Sequence, residues 1–328
     1  MKNVNDFCEP EGTVLGAIQR TLIPGTFLFI LLVGLPLNLS VLWILIARVK
    51  RWNRSTVFLC NLVLADITWI LTLPVLITYH LNQLHWVFGD AVCKATRTVY
   101  HICYYCSIYF VTCLGVDRYL AIVHPLKSLS LLSKQRSLRI CFSIWLLTCI
   151  FSVPVSYMAG TQSCQSNRTT CSLYVFSSAT STSLPFSITS TTLGCLLPLS
   201  SIFYCYCSSV GQLRRTGFQR AHKRGALTSF MYAALIVFAL LYLPYHASRN
   251  TCIFLRAFRA SATSSIRAAD TLFFALMAVC SLNSCINPLF CFLTGGDFRE
   301  QVSKLVFSCR QKKPWQRGPG LATVCPVE

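Results

Sequence analysis

Charge is what this sequence has least of. Only 12% of its 328 residues are Asp, Glu, Lys or Arg, about half the usual share for a soluble domain. So little charge cannot coat a water-facing surface, which argues against a soluble globular enzyme. Acidic residues are scarcer still: 10 Asp and Glu stand against 29 Lys and Arg, a net charge of +19. A basic chain suits a nucleic acid or an anionic membrane surface. With 54% hydrophobic residues, the membrane is selected and nucleic acid is set aside. The same figure excludes a disordered chain, which is poor in apolar residues. The first eleven residues hold Asp6, Glu9 and Glu11 and no apolar core, so they do not form a signal peptide. The first apolar run is expected to act as its own insertion signal. No hairpin or inverted repeat is visible, which weighs against many transporter folds. No nucleophile–base constellation or HExxH spacing occurs, so no enzyme is expected.

What is abundant is cysteine and long apolar runs. The 19 cysteines are odd in number, so they cannot all pair within one chain. Most sit in apolar stretches, where Cys behaves as a small hydrophobe. The disulfide candidates are Cys8, Cys93, Cys164 and Cys171, in polar segments, with Cys252 at the end of an apolar run. A bilayer core needs about 20 apolar residues per helix. Runs at 21–47, 57–79, 91–123, 140–158, 184–210, 228–254 and 270–293 qualify. The expected fold is an all-α membrane protein, a bundle of seven transmembrane helices. The expected division is an N-terminal segment at 1–20, a seven-helix domain at 21–296 and a tail at 297–328.

Orientation follows the distribution of Lys and Arg. Segments 48–54, 118–139 and 214–224 and the tail from Arg299 onward hold 20 of the 29 cations. They are expected on the cytoplasmic side, with the acidic N-terminus outside. Asn167, in Asn167-Arg168-Thr169, then falls outside, where glycosylation acts.

Several residues stand out within these spans. Asp66 lies inside an apolar helix, where a charge costs about 2.5–3.5 kcal/mol on insertion scales. Such a residue suggests function. Asn38, Ser107, Asn283 and Asn287 could surround it, with plain polar packing as the alternative. Arg118 ends the third span beside Asp117, and its fork geometry makes an ion pair directional. Pro198 and Pro244 remove backbone hydrogen bonds and are expected to kink their helices.

These residues belong to motifs in a fixed order: Gly34 to Asn38 and Asn61 to Asp66, then Asp117-Arg118-Tyr119. Trp145, Pro198 and Tyr206 follow, then Phe238, Tyr242 and Pro244, then Asn283 to Pro288. In this the chain resembles the rhodopsin-like (class A) G-protein-coupled receptors along essentially its whole length. The resemblance implies a plasma-membrane receptor signalling through heterotrimeric G proteins. It implies a sodium ion beside Asp66 in the inactive state and G-protein contact at Asp117, Arg118 and Tyr119. A switch at Phe238, Tyr242, Pro244 and Tyr206 and a Cys93–Cys171 disulfide also follow from it. Cys8 would pair with Cys164 or Cys252. An amphipathic eighth helix would begin at Asp297, with Phe298, Val302, Leu305 and Val306 toward the lipid and Cys309 palmitoylated or a free thiol. Few Ser and Thr in the tail suggest modest arrestin recruitment. One departure is Cys291, which stands where the family carries a Tyr.

A narrower resemblance is to the branch of metabotropic purinoceptors, succinate and oxoglutarate receptors and cysteinyl-leukotriene receptors, whose ligands are anions. It rests on Trp52 to Ser55, His85 to Asp90, Arg97, His101, Ser107 to Cys113 and Pro244 to Asn250. Arg97 and Arg249, in the outer halves of their helices, can fork onto phosphate or carboxylate. His246 lies one turn below Arg249. Tyr100, His101 and Tyr104 complete the expected ligand set, and interfacial snorkelling is the alternative for both arginines. Tyr100 occupies the position where amine receptors carry an aspartate, which argues against an amine ligand. Lys94, Arg168, Arg256, Arg259 and Arg267 would make the pocket mouth basic. The branch's cation on the seventh span is missing: residues 273–279 are apolar. An extracellular nucleotide is the first expectation, with succinate-like carboxylates and leukotriene-like lipid acids as alternatives. An anion channel or transporter is the remote reading.

Overall fold

A computed structural model describes residues 13–304 except 51, 127–132, 165–167, 216–217, 260, 295–297 and 299; at 218–227 and 294 it describes the backbone alone. Among the described residues, seven helices are long and apolar enough to cross a membrane. They are α1 (Val14–Arg48), α2 (Arg54–Leu81), α3 (Gly89–Val123), α4 (Lys134–Met158), α5 (Thr180–Arg215), α6 (Thr228–Phe258) and α7 (Thr263–Leu293). Each expected span has its helix, but several helices run further. Thus α1 begins at Val14 rather than residue 21, α4 at Lys134 rather than 140, and α7 at Thr263 rather than 270. Apolarity marks only the part that needs an apolar solvent. The backbone bonds continue through polar turns until a side chain caps them. Thr13 accepts from the Gly16 N–H, Asn53 from Thr56 and Ser133 from Arg136.

Four prolines leave the same mark. Each lacks an N–H and pushes its ring against the preceding turn. The residue before each one reaches back five positions instead of four: Ile23 to Ile18, Leu35 to Ile30, Leu197 to Thr192 and Leu243 to Phe238. The expected kinks at Pro198 and Pro244 are therefore single wide π turns. At Pro288 the solution differs. The Ser284 carbonyl loses its helical donor and accepts instead from Asn38 Nδ2 of α1 at 2.9 Å. Helix α7 is also interrupted at Leu282, whose N–H bonds to Val279 at 3.2 Å.

Central α3 packs against α2, α4 and α5. Trp145 of α4 donates its indole N–H to Asn61 of α2 at 3.0 Å. Large apolar side chains such as Phe142, Leu147 and Ile150 face outward from α4, as a bundle solvated by lipid requires. Between α4 and α5 lies an antiparallel hairpin, β1 (Gly160–Ser163) and β2 (Thr169–Ser172), with Gly160 opposite Ser172. Several ties hold it to the bundle, three of them close to the turn into α3. These three are the Cys93–Cys171 disulfide, the Thr161 N–H on Asp90 at 2.8 Å, and the Trp86 N–H on the Thr169 carbonyl at 2.7 Å. Gly89, at φ 80°, makes the turn into α3 that an L side chain would strain. Cys164 is disulfide-bonded and Cys252 is a buried free thiol, which removes Cys252 as a mate for Cys8.

Beyond α7, Phe298 is buried edge-on against Phe292, and Val302 packs on the core one turn later. Glu300 pairs with Lys304 at 2.6 Å. The rest of the expected eighth helix, Cys309 included, lies outside the described residues, as does Asn167.

Candidate functional site

Beneath the hairpin is a small cavity. Arg97, Tyr100, His101 and Tyr104 reach it from α3 and Arg249 from α6, joined by Tyr105. Arg249 is 1% exposed. Its guanidinium donates to the Ser187 hydroxyl at 3.0 Å, the Ser190 hydroxyl at 2.7 Å and the Thr191 hydroxyl at 3.1 Å. It also donates to the Tyr105 hydroxyl at 3.1 Å. Among the described residues these neutral oxygens stand where a carboxylate would be expected, and no Asp or Glu pairs with it. Arg97 donates from Nη2 to the Cys171 carbonyl at 3.0 Å, while its buried Nε has no partner. The disulfide thus fixes the carbonyl that orients Arg97.

The histidines differ in protonation. The Ser152 hydroxyl donates to the Thr148 carbonyl at 2.7 Å, so it can only accept from His101 Nδ1, also at 2.7 Å. In the neutral ring this leaves His101 Nε2 as an acceptor. Arg249 donates to His246 Nδ1 at 2.9 Å, so His246 carries its proton on Nε2. Both Nε2 atoms are buried without a partner. His246 supports Arg249 and does not itself line the cavity.

The pocket mouth is less basic than the sequence suggests. Lys94 pairs with Asp90 at 2.6 Å and Arg256 with Asp270 at 2.6 Å, so at least these two of its cations are matched. Within the apolar stretch 273–279 of α7, Phe273 stacks on Tyr245 at 5.8 Å.

Around Asp66, which is 3% exposed, Asn287 Nδ2 donates to both carboxylate oxygens at 3.0 and 2.9 Å and to Ser107 Oγ at 2.9 Å. Asn283 instead donates to the Tyr242 hydroxyl at 3.0 Å. Asn38 spends both amide hydrogens on the Gly34 and Ser284 carbonyls. The five expected residues are thus split between the carboxylate and its supports. A small cavity adjoins Asp66, Ser107 and Asn283. A carboxylate, a hydroxyl and the unpartnered Asn287 Oδ1 are hard oxygen donors that fit a sodium ion.

A contact path links the two cavities. Tyr104 packs edge-on against Tyr242 at 5.6 Å, and Tyr242 packs on Phe238 at 4.9 Å. Tyr206 lies against Tyr232 of α6 at 6.1 Å. Cys291 is fully buried.

At the far end of α3, Arg118 Nη2 lies 3.5 Å from Asp117 Oδ2 and donates to the Ser55 hydroxyl at 2.6 Å. Ser55 donates in turn to Asp117 Oδ2 at 2.6 Å, and Arg54 forms an ion pair with Asp117 Oδ1. Tyr119 contacts His124 and Tyr204.

Sequence reasoning did not find Tyr105, Tyr174, Tyr245, Ser187, Ser190, Arg54 or Ser55. One signal was available for the serines: α5 opens with eight Ser and Thr in the twelve residues Thr180–Thr191, an unusual load for a membrane helix.

The family model for seven-transmembrane receptors of the rhodopsin family matches residues 37–290. Human purinoceptor 1 is 31% identical over 286 residues, which cover 86% of this chain and 76% of that protein. Purinoceptor 1 of Gallus gallus is 31% identical over 297 residues, covering 89% and 82%. Purinoceptor 4 of Xenopus laevis is 29% identical over 299 residues, covering 87% and 54%.

Proposed function

From a chain that belongs to the rhodopsin family of seven-transmembrane receptors, in its purinoceptor branch, we propose a receptor for a small anionic extracellular ligand, a nucleotide first. It is a multi-pass membrane receptor and not an enzyme. The ligand's anionic group enters the cavity lined by Arg97 and Arg249. The aromatic rings of Tyr100, Tyr104 and Tyr105 flank it, and a base or other flat group suits them. Binding passes through Tyr104 and Tyr242 toward the Asp66 cluster, with Pro244 as the pivot. Arg118, with Asp117 and Tyr119, then engages a heterotrimeric G protein. Arrestin and the membrane's lipids are the remaining partners. Residues 1–20 are extracellular and 297–328 cytoplasmic. A sodium ion at Asp66 would favour the resting arrangement by adding charge to the carboxylate and hydroxyl there.

One observation carries this reading. Two buried guanidiniums line one cavity, and among the described residues neither pairs with a carboxylate. Burying an unmatched charge is costly unless something compensates it, and a bound anion does so. The relatives' purinoceptor names support a nucleotide. A carboxylate or lipid acid is the second reading, supported by the absence of a cation in the α7 stretch 273–279.

The test is a panel of nucleotides, dicarboxylates and lipid acids in a G-protein dissociation assay. A nucleotide should activate the wild type, and Arg97→Ala and Arg249→Ala should each lower potency about tenfold or more, roughly 1.4 kcal/mol. Activation by a lipid acid alone, with both variants unchanged, would sink the reading.

A further inference from the structure

We infer that Arg54 sets the agonist-free signalling level of this receptor by competing with Arg118 for Asp117. The inference rests on the proposed role of Arg118 in G-protein engagement. The Asp117 carboxylate is 2% exposed and carries a single charge, yet two guanidiniums address it. Arg54, at the start of α2, takes Oδ1 in a close ion pair. Arg118 approaches Oδ2 only to 3.5 Å, beyond the 2.7–2.9 Å of a charge-assisted hydrogen bond. Its short bond goes to the Ser55 hydroxyl at 2.6 Å. Ser55 spends its own proton on Asp117 Oδ2, also at 2.6 Å. Arg118 is therefore held by the Ser55 bridge and a longer ion pair to Oδ2, while the closer ion pair belongs to Arg54.

Neighbouring residues thus act in opposite senses. Arg54 draws the carboxylate's charge toward α2 and loosens its hold on Arg118. Ser55 bridges the two groups and tightens that hold. Without Arg54, the buried carboxylate keeps Arg118 as its one close cation among the described residues, and Coulomb attraction in a low-dielectric setting draws Arg118 onto it. Without the Ser55 hydroxyl, Arg118 loses its shortest bond and the carboxylate loses a donor. A purely structural strut between α2 and α3 would behave otherwise: either loss would weaken folding, with no opposed effect on signalling.

The experiment uses the full-length receptor in membranes, with purified heterotrimeric G proteins of each class and no agonist. Exchange of a non-hydrolysable GTP analogue is read per receptor. Arg54→Met should lower exchange about threefold and Ser55→Ala should raise it about threefold. In an Asp117→Asn background, Arg54→Met should have no further effect. A second readout needs no G protein: spin labels carried by unnatural amino acids report the distance between the Arg118 end of α3 and the adjacent end of α6. Arg54→Met should favour the short distance and Ser55→Ala the long one. Equal signs for the two variants, an unchanged distance distribution, or an Arg54→Met effect that survives Asp117→Asn would overturn the inference. Silence with all G proteins but the expected distance shifts would refute the coupling reading and leave the role of Arg54 standing.

Discussion

The Tyr105 hydroxyl accepts a hydrogen bond from Arg249 Nη1 at 3.1 Å, joining α3 to α6 beside the cavity both residues line. The ring can lie there because α5 offers it Gly194, where any Cβ would run into Tyr105. Gly194 sits in the wide turn before Pro198. The missing Cβ of Gly194 thus makes room for the ring that orients the central cation.

Arg249→Lys should not rescue what Arg249→Ala loses. The guanidinium reaches Ser187, Ser190, Thr191, Tyr105 and His246 at once. An ammonium has three donors on a single point and cannot span them. Agonist potency in a concentration–response assay should fall about tenfold in both variants.

Gly194→Ala should cost about 1–3 kcal/mol by overpacking against Tyr105. Thermal unfolding of the purified receptor reads the loss. Adding Tyr105→Leu should recover part of the stability, because the smaller side chain vacates the space. Agonist potency should not recover with it, since the hydroxyl on Arg249 is gone.

Asn38→Ala should destabilise the receptor by about 1–3 kcal/mol, the cost of leaving a buried carbonyl unsatisfied. The carbonyl is that of Ser284, deprived of its helical donor by Pro288. Asn38→Asp should be no better, because a carboxylate has no N–H to give. Unfolding temperatures of the two variants check this.

Asp66→Asn should abolish the sodium dependence of agonist binding. In the wild type, replacing sodium by choline at constant ionic strength should raise agonist affinity about threefold. In the variant the two salts should give the same affinity. Competition binding in each salt measures both.

Much of the molecule was legible from the chain. Hydropathy located every helix, and the motif order placed Asp66, Arg118 and Pro244 on their helices. Arg97, Tyr100, His101, Tyr104 and Arg249 do line one cavity. Their partners were harder to read. Asn38, read as part of the Asp66 cluster, gives its amide hydrogens to the Gly34 carbonyl and to a carbonyl 246 residues away. Lys94 and Arg256 looked like free cations at a basic mouth and are matched by Asp90 and Asp270.

The sequence by itself determined the number of helices and where the prolines would bend them. Those properties depend on residues close in the chain and on a bilayer of fixed thickness. It determined, too, which side chains could carry charge into the bundle. Only the tertiary structure decided what each of them meets. Arg249 lies among α5 hydroxyls, Arg118 leans on Ser55, and Arg54 forms the closer ion pair with Asp117. Bonds of this kind join residues some 60 positions apart, and helix rotation and packing, which no local pattern encodes, bring them within about 3 Å.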